Sequence, residues 1–159
     1  YPDDVNDRKW YPFFDAKEWT ELTTNLNINS SNGYAPPEVV MASASTPIST
    51  IGTWNFSWLL PSSTTQFYVY MHFAEIQTLR SLDTREFKVT LNGKLAYERY
   101  SPKTLATETI FYSTPQQCED GTCLLELTKT PKSTLPPLMN ALEVFTVIDF
   151  PQMETNPDD

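Results

Sequence analysis

Apolar and polar positions alternate along much of this chain, with the period of two expected of extended strands whose successive side chains point to opposite faces. In residues 20–28, TELTTNLNI, Leu22, Leu26 and Ile28 share one parity with polar residues between them, which predicts a half-buried strand. The following SSNGYAPPE reads as a loop. In residues 54–60, WNFSWLL, the positions Trp54, Phe56, Trp58 and Leu60 alternate with Asn55 and Ser57, so one face carries large rings and the other is polar. Pro61 and the Ser/Thr run to Thr65 end that strand. Residues 67–76 are apolar on both parities, the pattern of a central strand covered on two sides.

The segment 85–97, REFKVTLNGKLAY, carries Phe87, Val89 and Leu91 on one face before Asn92-Gly93, the strongest hairpin signal in the chain. A two-residue loop would pair Leu91 with Lys94 and split the apolar set. A longer or bulged loop pairs Leu91 with Leu95 and Val89 with Tyr97, and is the expected register. TLATETIFY, LLELTK and NALEVFTVIDF supply further strands, and QMETNPDD reads as a linker. Many short strands, short turns, no short repeat and no heptad predict an all-β fold: a two-sheet antiparallel β-sandwich. Thirteen prolines against four glycines in 159 residues fit that class and a single domain.

Charge narrows the partners. A net charge of −9 repels phosphate backbones and anionic headgroups, which argues against nucleic-acid binding and membrane contact within this fragment, and favours basic or neutral partners. No run approaches the roughly 20 apolar residues of a bilayer span, and the opening YPDDVNDR resembles neither a signal nor a transit peptide, so the chain reads as an excised soluble piece.

Candidate chemistry is sparse. Cys118 and Cys123 flank Asp120-Gly121 in QCEDGTC, which places both thiols at the ends of a small hairpin; a disulfide is preferred over free thiols or a zinc site, for which ligands are too few. Asn29 and Asn55 begin glycosylation sequons. His72, the only histidine, stands three residues before Glu75, and strand alternation puts the two on opposite faces. They are therefore read as structural, with Glu75 hydrogen-bonding a loop. Asp3, Asp4 and Asp7 read as solvated turn acids and lack the ligand spacing of a calcium loop. No nucleophile elbow or phosphate loop is present, and neither cofactor nor metal is called for.

The stretches YPDDVNDRKW, YMHFAEIQ, DTREFKVTLNGK, CEDGTC and STLPPLMNALEVFTVIDFPQMETN, in that order, resemble the malectin-like ectodomains of plant leucine-rich-repeat receptor-like kinases over essentially the whole chain. The resemblance implies a malectin/jelly-roll-like sandwich, extracellular placement, glycosylation and a disulfide. It also implies that residues 1–159 form the second, membrane-proximal module of a tandem pair, with 1–12 linking from an upstream module and 151–159 forming a C-terminal linker. Animal malectin binds a glucose disaccharide with loop aromatics and an acid. By alignment on the shared F-A-E and L-N-G patterns those positions fall at Gln77, Thr78 and about Leu135, none of which suits a sugar ring.

The expected function is a non-catalytic ligand-recognition module, the presumed parent carrying its kinase elsewhere. Partners would be a peptide or protein ligand, a co-receptor or the adjacent malectin-like module. Candidate contacts are Trp10, Tyr11, Phe13, Phe14 and Tyr34, with Gln77 and Thr78 added by the resemblance; the competing expectation is that the WYPFF cluster packs on the core or the upstream module. The alternative function is a lectin-like module for cell-wall glycan, and a glycosidase would need two facing carboxylates in a cleft.

Overall fold

The computed structural model describes residues 4–148. Among them the chain forms nine strands and one short helix: β1 (Trp19–Thr23), α1 (Glu38–Met41), β2 (Ser43–Pro47), β3 (Trp54–Leu59), β4 (Phe67–Phe73), β5 (Phe87–Leu91), β6 (Lys94–Tyr100), β7 (Glu108–Phe111), β8 (Thr122–Lys129) and β9 (Ala141–Thr146). Two antiparallel sheets face each other, one ordered β3-β8-β5-β6 and the other β7-β4-β9, with the ribbon β1-β2 as a third piece. An isolated bridge between Ser45 and Met139 ties that ribbon to the segment just before β9.

Alternation explains the layers. Val69, Met71 and Phe73 of β4 point inward, and meet Phe87, Val89 and Leu91 of β5 with Leu125 and Leu127 of β8 in one buried core. β4 is the centre of its sheet, with five of its seven residues buried and Tyr68 and Tyr70 partly so, as its two-parity apolar run predicts. In β3 the rings of Trp54, Phe56 and Trp58 face inward while Asn55, Ser57 and Leu59 stay exposed.

Three expectations are corrected. The first strand ends at Thr23: Leu26 is 52% exposed, while Ile28 is buried and donates its N–H to the Glu38 carboxylate at 2.8 Å. That bond ties the loop to α1, a four-residue helix that the sequence pattern did not mark. The β5–β6 turn is a two-residue loop, with Asn92 and Gly93 both at positive φ (47° and 74°), so Leu91 pairs with Lys94. The irregularity lies farther along β6, where two register shifts bring Tyr97 opposite Val89, the half of the expected register that holds, and Tyr100 opposite Phe87. The side-chain mismatch foreseen for a tight turn is thus relieved inside the strand, and Leu95 remains half exposed.

Cys118 and Cys123 form a disulfide across five residues, and the Gly121 N–H donates to the Cys118 carbonyl at 3.1 Å. Cys118 lies before the turn and outside any strand, so the motif is a clasped turn on the start of β8 rather than a paired hairpin. Replacing both cysteines by serine should lower unfolding free energy by about 2 kcal/mol, the loop-closure value for so short a ring, as read by urea denaturation. At the end of β4, Glu75 and Arg85 form a buried ion pair, Oε2 to Nε 2.6 Å, and Glu75 also accepts the Gln77 N–H at 3.0 Å.

Candidate interaction surface

The segment before β1 is an arm laid on the outer face of β7-β4-β9. Asp4, expected in solvent, has a side chain only 1% exposed; its carboxylate accepts from the Trp10 indole N–H at 2.6 Å, the Asn6 N–H at 2.7 Å and Arg8 Nε at 3.0 Å. Burial pushes the Asp4 carboxyl up, but the bonds from Trp10, Asn6 and Arg8 together outweigh it and hold the group below its ordinary value of 3.8. Arg8 reaches from this knot to Glu143 of β9 at 2.5 Å and to the Ala35 carbonyl at 2.6 Å, and its guanidinium sits 5.0 Å from the Trp10 ring centre.

A depressed carboxyl contributes attachment that is complete above its unfolded value and is lost as pH falls through the lowered one. Acid titration of tryptophan fluorescence should therefore show the arm releasing below pH 3.8. Asp4→Asn should remove that step and leave the arm loosened at neutral pH.

Trp10 packs edge-on to His72, ring centres 6.0 Å apart, and Tyr34 lies 6.5 Å from the same imidazole. His72 is wholly buried. Its Nδ1 lies 2.8 Å from Thr109 Oγ1, which also accepts from Asn32 Nδ2 at 2.8 Å; its Nε2 lies 3.6 Å from Glu143 Oε1. With its hydrogen on Nε2 the ring would turn no lone pair toward the carboxylate, and Nδ1 would accept the Thr109 hydroxyl proton. An acid, an imidazole and a hydroxyl thus adjoin, but beneath Trp10 and Tyr34 rather than in a cleft. The group locks the arm to the sheet. Glu75 points to the opposite side, as alternation requires.

Tyr34 extends this cover into an aromatic surface, with ring centres 5.1 Å from Tyr70 and 5.4 Å from Phe111; Tyr70 in turn meets Phe145 at 5.9 Å. Burial, with Tyr70 adding to it, pushes the Tyr34 phenol up.

Beyond Trp10 the arm crosses the open side of the sandwich, where β3 and β9 are the outermost strands of their sheets. A groove of about 440 Å³ lies there between Trp54, Phe56 and Trp58 of β3 and Leu142 and Val144 of β9. Phe13 packs edge-on against Trp19 (5.7 Å) and Phe56 (5.1 Å), yet remains 67% exposed, and Tyr11 is 78% exposed. Within the groove the large rings cover one another: Trp19 stacks on Trp54 at 5.3 Å and Phe56 on Trp58 at 5.9 Å. The Trp58 indole N–H is buried without a hydrogen-bond partner among the described residues.

The arm, Tyr34 and the groove are therefore brought together, whereas Gln77 and Thr78 are not. They are exposed beyond β4, where Gln77 Oε1 accepts from Arg85 Nη2 at 2.7 Å and Arg85 Nη1 donates to the Pro136 carbonyl. Arg85 thus links Gln77 to the LPP loop, and the group between them is a guanidinium already committed to both. Asn29 and Asn55 are both exposed. Asp4 and Arg8 were missed as organising residues, because their partners lie in β9 and the loop at Ala35; the local D-x-x-x-R-x-W spacing was the available signal.

This sandwich belongs to the malectin-like domain family, whose sequence pattern spans residues 1–147, and the chain is a non-catalytic module of that family. Over 159 residues it is 99% identical to the receptor-like protein kinase At3g21340 of Arabidopsis thaliana, and 69% identical to a leucine-rich repeat receptor-like serine/threonine-protein kinase of the same plant, At2g04300. Each alignment covers 100% of this chain and 18% of the relative, so the chain spans under a fifth of these curated proteins. Among solved structures, it is similar to a chain in that of the plant peptide RALF23 in complex with FER and LLG2, with a TM-score of 0.64 and 20% identity across 84% of this chain and 40% of the other.

Proposed function

We propose that this chain is an extracellular ligand-recognition module of a plant receptor-like kinase, acting in cell-surface signal perception through protein or peptide contacts. The observation that carries the reading is the aromatic groove between β3 and β9, with Tyr11 and Phe13 exposed on the arm that crosses it. Exposed rings beside an apolar concavity suit the anchors of a protein interface, and the charge of −9 suits a basic partner. Support comes also from the kinase relatives and from the solved complex of a similar chain with a peptide. The disulfide and the exposed Asn29 and Asn55, which we assign as glycosylation sites, fit an oxidising extracellular setting outside the plasma membrane.

The adjacent malectin-like module is a further partner in this reading, joined through residues 1–12. The linker assigned to 151–159 lies outside the described residues. A cell-wall glycan is the weaker ligand class, because the stacked rings spend their flat faces on each other. The test is a parallel screen of the chain against peptide, secreted-protein and glycan arrays. Peptide or protein ligands should bind, and Tyr11→Ala with Phe13→Ala should weaken them at least tenfold; binding confined to glycans would overturn the reading.

A further inference from the structure

Edge strands expose unpaired backbone groups, and folds commonly guard them with charge, proline, bulges or cover. Three of the four outer strands of the two large sheets are guarded. β6 carries two register shifts and the charged Lys94, Glu98 and Arg99; β7 has only four residues; β9 presents Glu143 to Arg8 and adjoins the Trp10 indole. β3 is different. Its six residues, WNFSWL, contain no charge or proline and pair with β8 in unbroken register.

The Leu60 N–H donates to the Gly121 carbonyl, continuing the register of Leu59 opposite Thr122. Antiparallel pairs alternate between bonded and non-bonded, so Trp54, Phe56 and Trp58 bond to β8 while the backbone groups of Asn55, Ser57 and Leu59 point to the free edge. None of these three N–H groups has a hydrogen-bond acceptor among the described residues. Beside that edge lies the mouth of the groove, walled by the inward rings of β3. Acids surround it: Glu21 lines the groove, Glu126 stands opposite Asn55, and Glu119 and Asp120 form the turn leading to Thr122.

We infer that the free edge of β3 takes an extended basic peptide as an added strand, its backbone bonding to Asn55, Ser57 and Leu59 and its alternate apolar side chains entering the groove. The intervening side chains would be basic and face the acids of the outer surface. A second copy of this chain is the disfavoured occupant, since each carries a charge of −9. The inference rests on the peptide-recognition reading and specifies its mode.

The probe is a capped decapeptide alternating lysine and valine, titrated against the chain, with two controls: the same peptide N-methylated at every second amide, and its glutamate–valine counterpart. The lysine–valine peptide should bind at least tenfold more tightly than either control and should slow amide hydrogen exchange at Asn55, Ser57 and Leu59. Leu59→Pro, which removes a donor that β8 does not use and leaves the Asn55 sequon intact, should weaken binding at least tenfold without changing the melting temperature. Equal binding of the three peptides, absence of binding, unchanged exchange at those amides, or dimerisation through β3 would each overturn the inference. A natural peptide or protein ligand found in the array screen that binds Leu59→Pro undiminished would overturn strand addition alone and leave the receptor-module reading standing.

Discussion

Arg85→Ala should cost about 3–5 kcal/mol of unfolding free energy, because it strands a carboxylate in the interior. The side chains of Arg85 and Glu75 are 2% and 1% exposed, and their 2.6 Å contact is supplemented by bonds from Arg85 to the Pro136 carbonyl and to Gln77. One guanidinium thereby ties the end of β4 to the loop before β9. Removing it leaves Glu75 with the Gln77 amide and little else, and desolvation is no longer offset by an opposite charge. Replacing both partners with apolar residues of similar volume, Glu75→Leu with Arg85→Met, should recover most of the loss, since the pair's own net worth is small. Urea denaturation of the three variants, followed by tryptophan fluorescence, measures both effects. A single-variant loss under about 1 kcal/mol would mean that water reaches this pair in solution.

Phe73→Ala should be comparably damaging, at about 3–5 kcal/mol, for a different reason. Phe73 comes from the three-stranded sheet and is fully buried against Phe87 at 5.6 Å and Tyr100 at 5.1 Å, both from the four-stranded sheet. Phe87 and Tyr100 also meet at 5.5 Å, so the three rings form the bolt between layers. Truncation opens a cavity that neither sheet can close without sliding past the other. Phe73→Leu should retain a large part of the stability. Phe111→Ala, on the half-exposed aromatic surface, should cost far less. Comparable losses at positions 73 and 111 would contradict the layer assignment.

What could be read along the chain was whatever depends on local periodicity. Trp54, Phe56 and Trp58 declare their shared face through alternation alone, and the two-parity run at 67–76 announces a central strand without knowledge of its neighbours. The hairpin shows the limit. Asn92-Gly93 specified the tight turn correctly, but matching apolar faces across it suggested a longer loop, and the conflict was resolved by shifts in β6 that no local signal places. Leu26 fits the parity of a strand that had already ended at Thr23.

The interaction surface was still less legible. Trp10, Tyr11 and Tyr34 stood out as ring-bearing loop residues, but Trp10 is held by Asp4, whose burial depends on Arg8 finding Glu143, 135 positions away. Glu75 was legible as a residue bonding a loop; that its main partner is Arg85 followed only from the fold. Pairings of that separation belong to tertiary structure, and pattern in a single sequence does not encode them directly.

The Arg8–Glu143 bond has a mechanical consequence. It joins the start of the arm to β9, the last strand among the described residues, so tension applied between residues 4 and 148 has a short route through one ion pair and half of β9. Until this tether gave way, the load would fall on the arm and on the β9–β4 pairing, and little of it would reach the four-stranded sheet. The module would then extend stepwise, first paying out its arm and only afterwards yielding the sandwich.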